Sequence, residues 1–225
     1  MRGLFVTGTD TEVGKTVVTA AVCASLAARG ERVAAFKPVV TGLDDDPGDW
    51  PRDHELLAQV ASAGQSPGDV APLRFGPPVS PHLAAEQAGT TIEPHALVRA
   101  ARAAGEHADA LVCEGVGGLM VPLTTGYSIR DLALDLGLPL VIAARPGLGT
   151  INHTLLTIEA ARAAGLAVKA VVMTPWPDEP TAMERSNRST IAQLGDVTVA
   201  GLPLTSPSTI ETAADALPLQ DWIGP

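Results

Sequence analysis

The residues with the clearest chemical potential form a glycine-containing segment near the start of the chain. It reads Gly8-Thr9-Asp10-Thr11-Glu12-Val13-Gly14-Lys15-Thr16. Glycines allow backbone N–H groups to turn inward around phosphate oxygens, and the positive N-terminal end of a following helix adds to that attraction. A lysine after the second glycine can reach the β- and γ-phosphates, and the next hydroxyl can ligate Mg²⁺. The segment therefore predicts a nucleoside triphosphate site with Lys15 on the phosphates and Thr16 on the metal.

The spacing of this segment is longer than the standard phosphate loop. Five residues, rather than the usual four, separate Gly8 from Gly14. A chance glycine-rich turn is the alternative interpretation. The apolar run before the segment and the helical pattern after it favour a phosphate loop between a strand and a helix.

Two further charged residues are associated with apolar runs. Glu114 follows Ala110–Cys113, and a carboxylate at the carboxyl end of a neighbouring parallel strand would face the same crevice as the phosphate loop. Lys37 lies in the run Val33–Val40, and burying a lysine is costly unless it meets an anion. The alternatives are a surface carboxylate and a lysine in solvent on an edge strand. We interpret Glu114 as a second metal ligand and Lys37 as a second cation for phosphoryl transfer.

The elements that must position these residues alternate short apolar runs with longer helical segments, which is typical of βαβ units. We predict strands at 4–7, 33–40, 110–113, 138–144, 168–173 and 197–202, and helices at 15–29, 53–63, 93–107, 151–164, 181–194 and 209–217. The run Leu138–Ala144 is apolar on both faces, which indicates a sheet covered on each side. We expect one α/β domain over residues 1–225, with a mostly parallel β-sheet covered by helices on both faces.

Composition limits the classes of partner and compartment. Hydrophobic residues make up 46% of the chain, and 15 basic against 25 acidic residues give a net charge of −10. Such a charge disfavours binding to nucleic acid or to anionic membranes. Two cysteines, Cys23 and Cys113, cannot form a disulfide framework and indicate a reducing compartment. The first apolar stretch is too short for a signal peptide or a membrane span, so we expect a cytoplasmic protein.

Several segments, taken in order, resemble the dethiobiotin synthetase family. They are the extended phosphate loop, Lys37-Pro38-Val39, Ser80-Pro81-His82, Glu114-Gly115-Val116-Gly117-Gly118 and Leu148-Gly149-Thr150-Ile151-Asn152-His153. The resemblance implies a P-loop NTPase fold and an ATP- and Mg²⁺-dependent ring closure in biotin synthesis. It implies 7,8-diaminononanoate and CO₂ or bicarbonate as substrates, and dethiobiotin, ADP and phosphate as products. One amine would capture CO₂ as a carbamate, the γ-phosphoryl group would activate it, and the second amine would close the ring.

The same resemblance implies roles for individual residues. The catalytic group would comprise Lys37, Lys15, Thr11 and Glu12, and the metal ligands would be Thr16, Asp53 and Glu114. The substrate would contact Thr41, Ser80, Pro81, Thr150 and Asn152, with His82 shaping its pocket. The nucleotide would contact Glu12, Val13, Gly14, Lys15, Thr16, Val17, Asp53, Glu114, Gly115, Val116, Gly117, Thr174, Pro175, Leu202, Pro203 and Leu204. On sequence alone, Asp53 is equally suited to capping its helix.

The resemblance also implies a homodimer with substrate bound at its interface. The phosphate loop would handle the amine end of a long, flexible diamine. The helix that begins near Thr150 would offer its N–H groups to the carboxylate at the other end, because a helix start suits an anion. That helix follows a different strand from the phosphate loop, and it would serve the neighbouring subunit.

One segment departs from the family pattern. In familiar members the strand corresponding to Val168–Met173 ends in Asn-Asp, whose amide recognises adenine, whereas here Thr174-Pro175 follows. Pro175 has no backbone N–H, and Thr174 offers one hydroxyl. We therefore expect a loose choice of base, with ATP and at least one other nucleoside triphosphate accepted.

Two other functions fit parts of the sequence. A related P-loop ATPase acting as a switch or regulator usually carries an extra lysine early in its phosphate loop, and Thr9-Asp10-Thr11 contains none. A non-catalytic domain of the dethiobiotin synthetase type would not need to retain Lys15, Thr16, Lys37 and Glu114 together. The sequence therefore favours the enzyme over both alternatives.

Overall fold

A computed structural model describes residues 1–223 of the chain. Its strands are β1 (Gly3–Gly8), β2 (Val33–Phe36), β3 (Val39–Val40), β4 (Leu73–Arg74), β5 (Ala110–Gly118), β6 (Pro122–Thr124), β7 (Tyr127–Ser128), β8 (Leu140–Ala144), β9 (Val168–Trp176) and β10 (Thr198–Pro203). Its helices are α1 (Lys15–Ala28), α2 (Asp53–Val60), α3 (Pro67–Val70), α4 (Pro81–Gln87), α5 (Pro94–Gly105), α6 (Ile129–Leu136), α7 (Thr150–Ala163), α8 (Ala182–Gly195), α9 (Ile210–Ala213) and α10 (Leu219–Trp222), with a 3₁₀ turn at Ala214–Ala216. Within residues 1–223, no helix is both long enough and apolar enough to cross a membrane.

Six of the strands form one sheet in the order β10-β9-β8-β1-β5-β2, and each neighbouring pair is parallel. Two short ribbons, β3 with β4 and β6 with β7, stand apart from it. The predicted α/β fold with a mostly parallel, helix-covered sheet is confirmed. Because β1 lies between β8 and β5, the loop that follows β1 opens at the carboxyl edge of the sheet beside the ends of both neighbours.

Side chains of the central strands alternate between two apolar layers, as the pleat of a strand requires. In β1, Leu4 and Val6 pack into the layer that contains α1, whereas Phe5 packs into the layer that contains α5 and α6. Ile142 of β8 packs with residues of α7 and α8. Both faces of the sheet are covered, and this is why its strands are apolar throughout.

The run Val33–Val40 does not form the single strand predicted for it. β2 ends at Phe36, and the chain then leaves the sheet, so that β3 pairs with β4 instead. Pro38 cannot donate to a strand ladder, and the Lys37 N–H bonds to the carbonyl of Val70 at 2.9 Å. The prediction of one continuous strand is wrong, and the break places Lys37 directly after the end of β2.

The strand predicted at residues 110–113 continues to Gly118, so Glu114 lies inside β5 rather than after it. Its Cα pairs with that of Val6 in the central strand. Glu114 is fully buried. The Glu114 carboxylate therefore belongs to β5, the strand next to β1 in the sheet.

Side chains bind backbone groups at both edges of the sheet. On β2, the Gln65 amide accepts from the Ala35 N–H at 2.8 Å and donates to the Ala35 carbonyl at 2.9 Å. On β10, Arg188 Nε donates to the Val199 carbonyl at 3.0 Å. The backbone groups of Ala35 and the carbonyl of Val199, which an edge strand would otherwise leave unpaired, are therefore hydrogen-bonded within the chain.

Candidate functional site

The loop between β1 and α1 has an unusual backbone. Glu12 has a φ of 56°, a left-handed conformation that residues other than glycine rarely adopt. Gly14 has a φ of 85° and caps the start of α1, and a Cβ at this position would collide with the methyl group of Thr174. The first intrahelical bond runs from the Val18 N–H to the Gly14 carbonyl, so the N–H groups of the residues between them have no partner in the helix. Left-handed backbone at a non-glycine residue marks candidate functional sites.

Two cationic side chains hold the carbonyl groups of this loop. Lys15 Nζ donates to the Asp10 carbonyl at 2.8 Å, and the Arg145 guanidinium donates to the Thr11 carbonyl at 3.0 Å. Burial lowers the pKa of Lys15. The loop is thus fixed from within by Lys15 and from the end of β8 by Arg145.

A charge cluster lies beside the loop, and we call Lys37, Asp53 and Glu114 the Lys37 cluster. Lys37 and Glu114 are buried, and Asp53 is partly exposed. Lys37 forms ion pairs with Asp53, at the start of α2, and with Glu114, whose Oε1 lies 2.6 Å from Nζ. Burial opposes the charge on Lys37, but the carboxylates of Glu114 and Asp53 outweigh it and raise the pKa of the lysine. Burial likewise opposes ionisation of Asp53, but the Lys37 ammonium outweighs it and lowers the pKa of that carboxyl. Both Lys37 and Asp53 are therefore charged at neutral pH.

Thr16 connects the phosphate loop to the Lys37 cluster. Its hydroxyl donates to Glu114 Oε1 at 2.9 Å. The second oxygen of Glu114, Oε2, is buried without a hydrogen-bond partner. Mg²⁺ prefers oxygen ligands and is usually bound by one or two carboxylates together with phosphate oxygens and water. The hydroxyl of Thr16 and the two carboxylates fit such an ion.

Two adjoining cavities open around these residues. The larger, of about 410 Å³, contains the phosphate loop and the Lys37 cluster, and we call it the phosphate-loop cavity. The smaller, of about 230 Å³, is bounded by the phosphate loop and the ends of β9 and β10, and we call it the side cavity. Both cavities are lined in part by Glu12, Gly14, Val17 and Trp50.

Most of the predicted site residues line one of the two cavities. The phosphate-loop cavity brings together Thr11, Glu12, Gly14, Lys15, Thr16, Val17, Lys37, Thr41, Asp53, Glu114, Val116 and Gly117. The side cavity adds Thr174, Pro175, Pro203 and Leu204. Residues predicted from several separate parts of the chain therefore meet at one edge of the sheet.

The remaining predicted residues lie outside the lining of both cavities. Val13 and Leu202 are buried in the layer that contains α1, and Gly115 packs against Ile129 and Phe5. The others stand at helix starts elsewhere: Ser80 and Pro81 at α4, and Thr150 and Asn152 at α7. His82, on the first turn of α4, is exposed.

Sequence reasoning missed three residues that line the side cavity: Trp50, Arg145 and Thr205. Trp50 is one of three tryptophans in the chain and lies in a loop rich in proline, glycine and aspartate. A large aromatic residue in such a loop is a signal that could have identified it. Arg145 directly follows β8, and the position after a parallel strand is a usual place for ligand contacts.

Known proteins resemble this chain over most of its length. A family model described as an AAA domain matches residues 2–208. The ATP-dependent dethiobiotin synthetase of Anaeromyxobacter dehalogenans strain 2CP-1 is 42% identical over 194 residues, which cover 86% of each chain. Its namesake from Bacillus subtilis strain 168 is 35% identical over 202 residues, covering 90% of this chain and 87% of that protein. The one from Thermodesulfovibrio yellowstonii is 38% identical over 209 residues, covering 89% and 87%.

Two solved structures share the fold at low sequence identity. Chloroplast FtsY from Physcomitrella patens superposes with a TM-score of 0.52 at 14% identity, covering 96% of this chain and 64% of that one. Apo McdA from Cyanthece superposes with a TM-score of 0.54 at 10% identity, covering 99% and 95%. At these identities the likeness supports the fold alone.

The Lys37 cluster leads to a prediction about stability. Lys37→Met should lower the free energy of unfolding by about 3–5 kcal/mol, because it leaves the buried Glu114 carboxylate without its cation. Adding Glu114→Gln should recover part of that loss, since a neutral amide needs no counter-ion. Urea unfolding of the wild type, both single variants and the double variant measures the coupling. Strictly additive losses would contradict a direct interaction, and Lys169→Met, at an exposed lysine, should change stability by no more than about 0.5 kcal/mol.

Proposed function

This chain belongs to the ATP-dependent dethiobiotin synthetase family, and from that premise we propose which of its residues close the ureido ring. The protein is an ATP-dependent ligase of biotin biosynthesis that acts on 7,8-diaminononanoate and CO₂. The observation that carries the assignment of the site is the convergence of Lys15, Thr16, Lys37 and Glu114 on one cavity beside the phosphate loop.

The reaction requires two successive attacks by nitrogen on the same carbon. One amine adds to CO₂ and loses a proton, which gives a carbamate. A carbamate oxygen then attacks the γ-phosphorus of ATP, so that ADP leaves and a mixed carbamic–phosphoric anhydride forms. The second amine attacks the carbonyl carbon of this anhydride, the bond from that carbon to the phosphate oxygen breaks, and phosphate and a proton are released. The middle step brings two anions together, and this repulsion is what the site must overcome.

Lys15 and Lys37 are suited to neutralise that charge. Lys15 lies within the phosphate loop, next to the N–H groups at the start of α1 that lack helical partners. Lys37 lies across the same cavity at the end of β2. Charge neutralisation and positioning dominate phosphoryl transfer. We assign the phosphates to Lys15, and the carbamate with its attacking oxygen to Lys37.

The metal would be held by Thr16, Asp53 and Glu114. Bound there, Mg²⁺ supplies Lewis-acid stabilisation of charge on the phosphate oxygens. Because Asp53 and Glu114 also pair with Lys37, metal ligation and the ion pairs draw on the same oxygens. If Mg²⁺ bound those carboxylates, they would attract the Lys37 ammonium less strongly. The ammonium would then be more available to an incoming carbamate.

The remaining lining residues divide between the two substrates. Thr11, Glu12 and Thr41 line the phosphate-loop cavity near the Lys37 cluster, and we assign to them the amine end of the diamine. Thr174, Pro175, Pro203 and Leu204 line the side cavity, and we assign to them the base of the nucleotide. Few hydrogen-bonding groups are present there to distinguish one base from another, which supports a loose choice of base.

A second subunit would complete the diamine site. Asn152, at the start of α7, is exposed and lies outside both cavities of its own chain. Leu148 and Leu156 lie four residues to either side of it, and they are 93% and 57% exposed. Asn152 and Leu156 share one face of α7, and Leu148 lies in the turn that precedes this helix. Exposed apolar side chains at such a surface suit a protein–protein contact. We propose that α7 packs against a second copy of the chain and presents Thr150 and Asn152 to the diamine carboxylate there.

The function is tested directly by product formation. Purified protein incubated with 7,8-diaminononanoate, bicarbonate, Mg²⁺ and ATP should form dethiobiotin, detected by mass spectrometry. Lys15→Ala should lower kcat by roughly 10²–10³-fold, since losing a well-placed charged donor is worth about 3–4 kcal/mol in the transition state. If the wild type forms no cyclic urea with ATP, GTP or CTP, the proposed reaction is wrong. If Lys15→Ala keeps nearly full activity, this loop does not hold the reacting phosphates.

The metal ligands are tested by a titration. Glu114→Gln keeps the size of the side chain and its bond from Thr16 but removes the charge. The variant should need at least about tenfold more Mg²⁺ for half-maximal activity and should have a lower maximal rate, because a carboxylate ligand is lost. The matched control is Asp69→Asn, at an exposed residue that caps α3. A Mg²⁺ requirement equal to that of the wild type would reduce Glu114 to a structural role.

The shared diamine site is tested by complementation. Asn152→Ala should raise the KM for the diamine and leave nucleotide binding unchanged, whereas Lys15→Ala should lower kcat by roughly 10²–10³-fold. A mixed dimer would contain one Lys15→Ala subunit and one Asn152→Ala subunit. One of its two sites would combine the intact Lys15 of the second subunit with the intact Asn152 of the first, and that site would carry neither defect. Equal mixing after reversible dissociation should therefore restore up to about a quarter of wild-type activity at low diamine concentration. No recovery in mixtures shown to exchange subunits, or full activity of a monomer, would refute the shared site.

A further inference from the structure

Trp50 lies between the two cavities, in a loop that hydrogen bonds hold in place. It lines both cavities and packs against the apolar layer that contains α1. The loop that carries it is tied down by hydrogen bonds from the Asp44 N–H to the Gly76 carbonyl at 2.9 Å and from Arg52 to the Asp45 carbonyl at 3.0 Å. Trp50 therefore borders both cavities on an anchored segment.

Few polar side chains around the side cavity are available to distinguish base edges, since Glu12, which also lines it, is assigned above to the amine end of the diamine. No Asn or Gln lines it among residues 1–223. Pro175 and Pro203 have no backbone N–H. Thr205 Oγ1 is 3.0 Å from the hydroxyl of Thr209, and Arg145 has only donors, one of which is used by Thr11.

The methyl group of Thr174 faces the phosphate loop. It is the atom that a Cβ at Gly14 would meet first, and Thr174 is 4% exposed. Thr174 stands where an adenine-binding amide is expected, and its methyl group faces the phosphate loop. This leaves the indole of Trp50 as the largest flat surface available to a base in the side cavity.

We propose that Trp50 binds the nucleobase by stacking, so that this chain recognises the face of the base rather than its hydrogen-bonding edge. The inference rests on the nucleotide site proposed above. Every base has a π-face, and a stacked aromatic residue is worth about 1–3 kcal/mol per base while tolerating any sequence. Trp50 thus provides affinity that is common to all nucleotides, and it explains how a site without an adenine-specific amide still holds its nucleotide.

The test compares two variants of similar size and polarity. Trp50→Phe keeps an aromatic face, whereas Trp50→Leu keeps only apolar packing against the core. Calorimetric titration of the full chain with ADP, GDP, CDP and UDP in Mg²⁺ needs no diamine and no turnover. Trp50→Leu should weaken binding of all four nucleotides by about tenfold, and by similar factors, and Trp50→Phe should remain within about threefold of the wild type. Trp176→Phe is the control, because Trp176 lies outside both cavities, 5.3 Å from the guanidinium carbon of Arg188.

Three results would overturn the proposal: wild-type affinity in Trp50→Leu, a loss confined to one base, or equal losses in both variants. If Trp50→Leu does not fold, tryptophan fluorescence decides instead. Each diphosphate should then change the emission of the wild type but not that of Trp50→Phe, and an unchanged wild-type emission overturns stacking. A wild type that makes dethiobiotin while Trp50→Leu binds normally refutes this inference alone. Trp50-dependent binding without any product refutes the proposed reaction instead.

Discussion

The ion pairs of Lys37 with Asp53 and Glu114 constrain a large part of the surrounding structure. They join the end of β2, the interior of β5 and the start of α2. Buried ion pairs rarely stabilise a fold more than apolar residues of the same size would, because desolvation offsets their attraction. A cluster of this kind is therefore better explained by what its charges do than by stability. It keeps a buried ammonium, the buried Glu114 carboxylate and the partly exposed Asp53 carboxylate oriented beside the phosphate loop.

The same ion pairs also determine the position of other parts of the site. Asp53 is the first residue of α2, so its pairing with Lys37 fixes where the preceding loop must end. That loop carries Trp50, three residues earlier, to the boundary between the two cavities. Thr16 joins the other side of the cluster through Glu114. The charges thus link the phosphate-loop cavity to the side cavity through one short stretch of chain.

The sequence predicts well those parts of this architecture that are determined by residues adjacent in the chain. The phosphate loop is contiguous, and the central strands are apolar on both faces because helices cover both. Lys37 stood out because it is one of three lysines and lies in an apolar run. Pro38 is a visible signal for the end of β2, whereas the continuation of β5 past Glu114 depends on pairing between strands, which apolar patterns do not record. Arg145 and Thr11 are 134 residues apart, and neither Arg145 nor Trp50 belongs to a motif, so only the folded chain brings them to the site.

The hydrogen bonds at the two sheet edges have a consequence for how copies of this chain can associate. An edge strand with free backbone groups can accept another strand, which is the route of β-augmentation and of sheet-to-sheet aggregation. Here Gln65 occupies both backbone groups of Ala35, and Arg188 occupies the carbonyl of Val199. A second copy cannot extend the sheet at these positions without first displacing those side chains. Strand addition at Ala35 or Val199 would therefore cost the hydrogen bonds that now hold Gln65 and Arg188 in place.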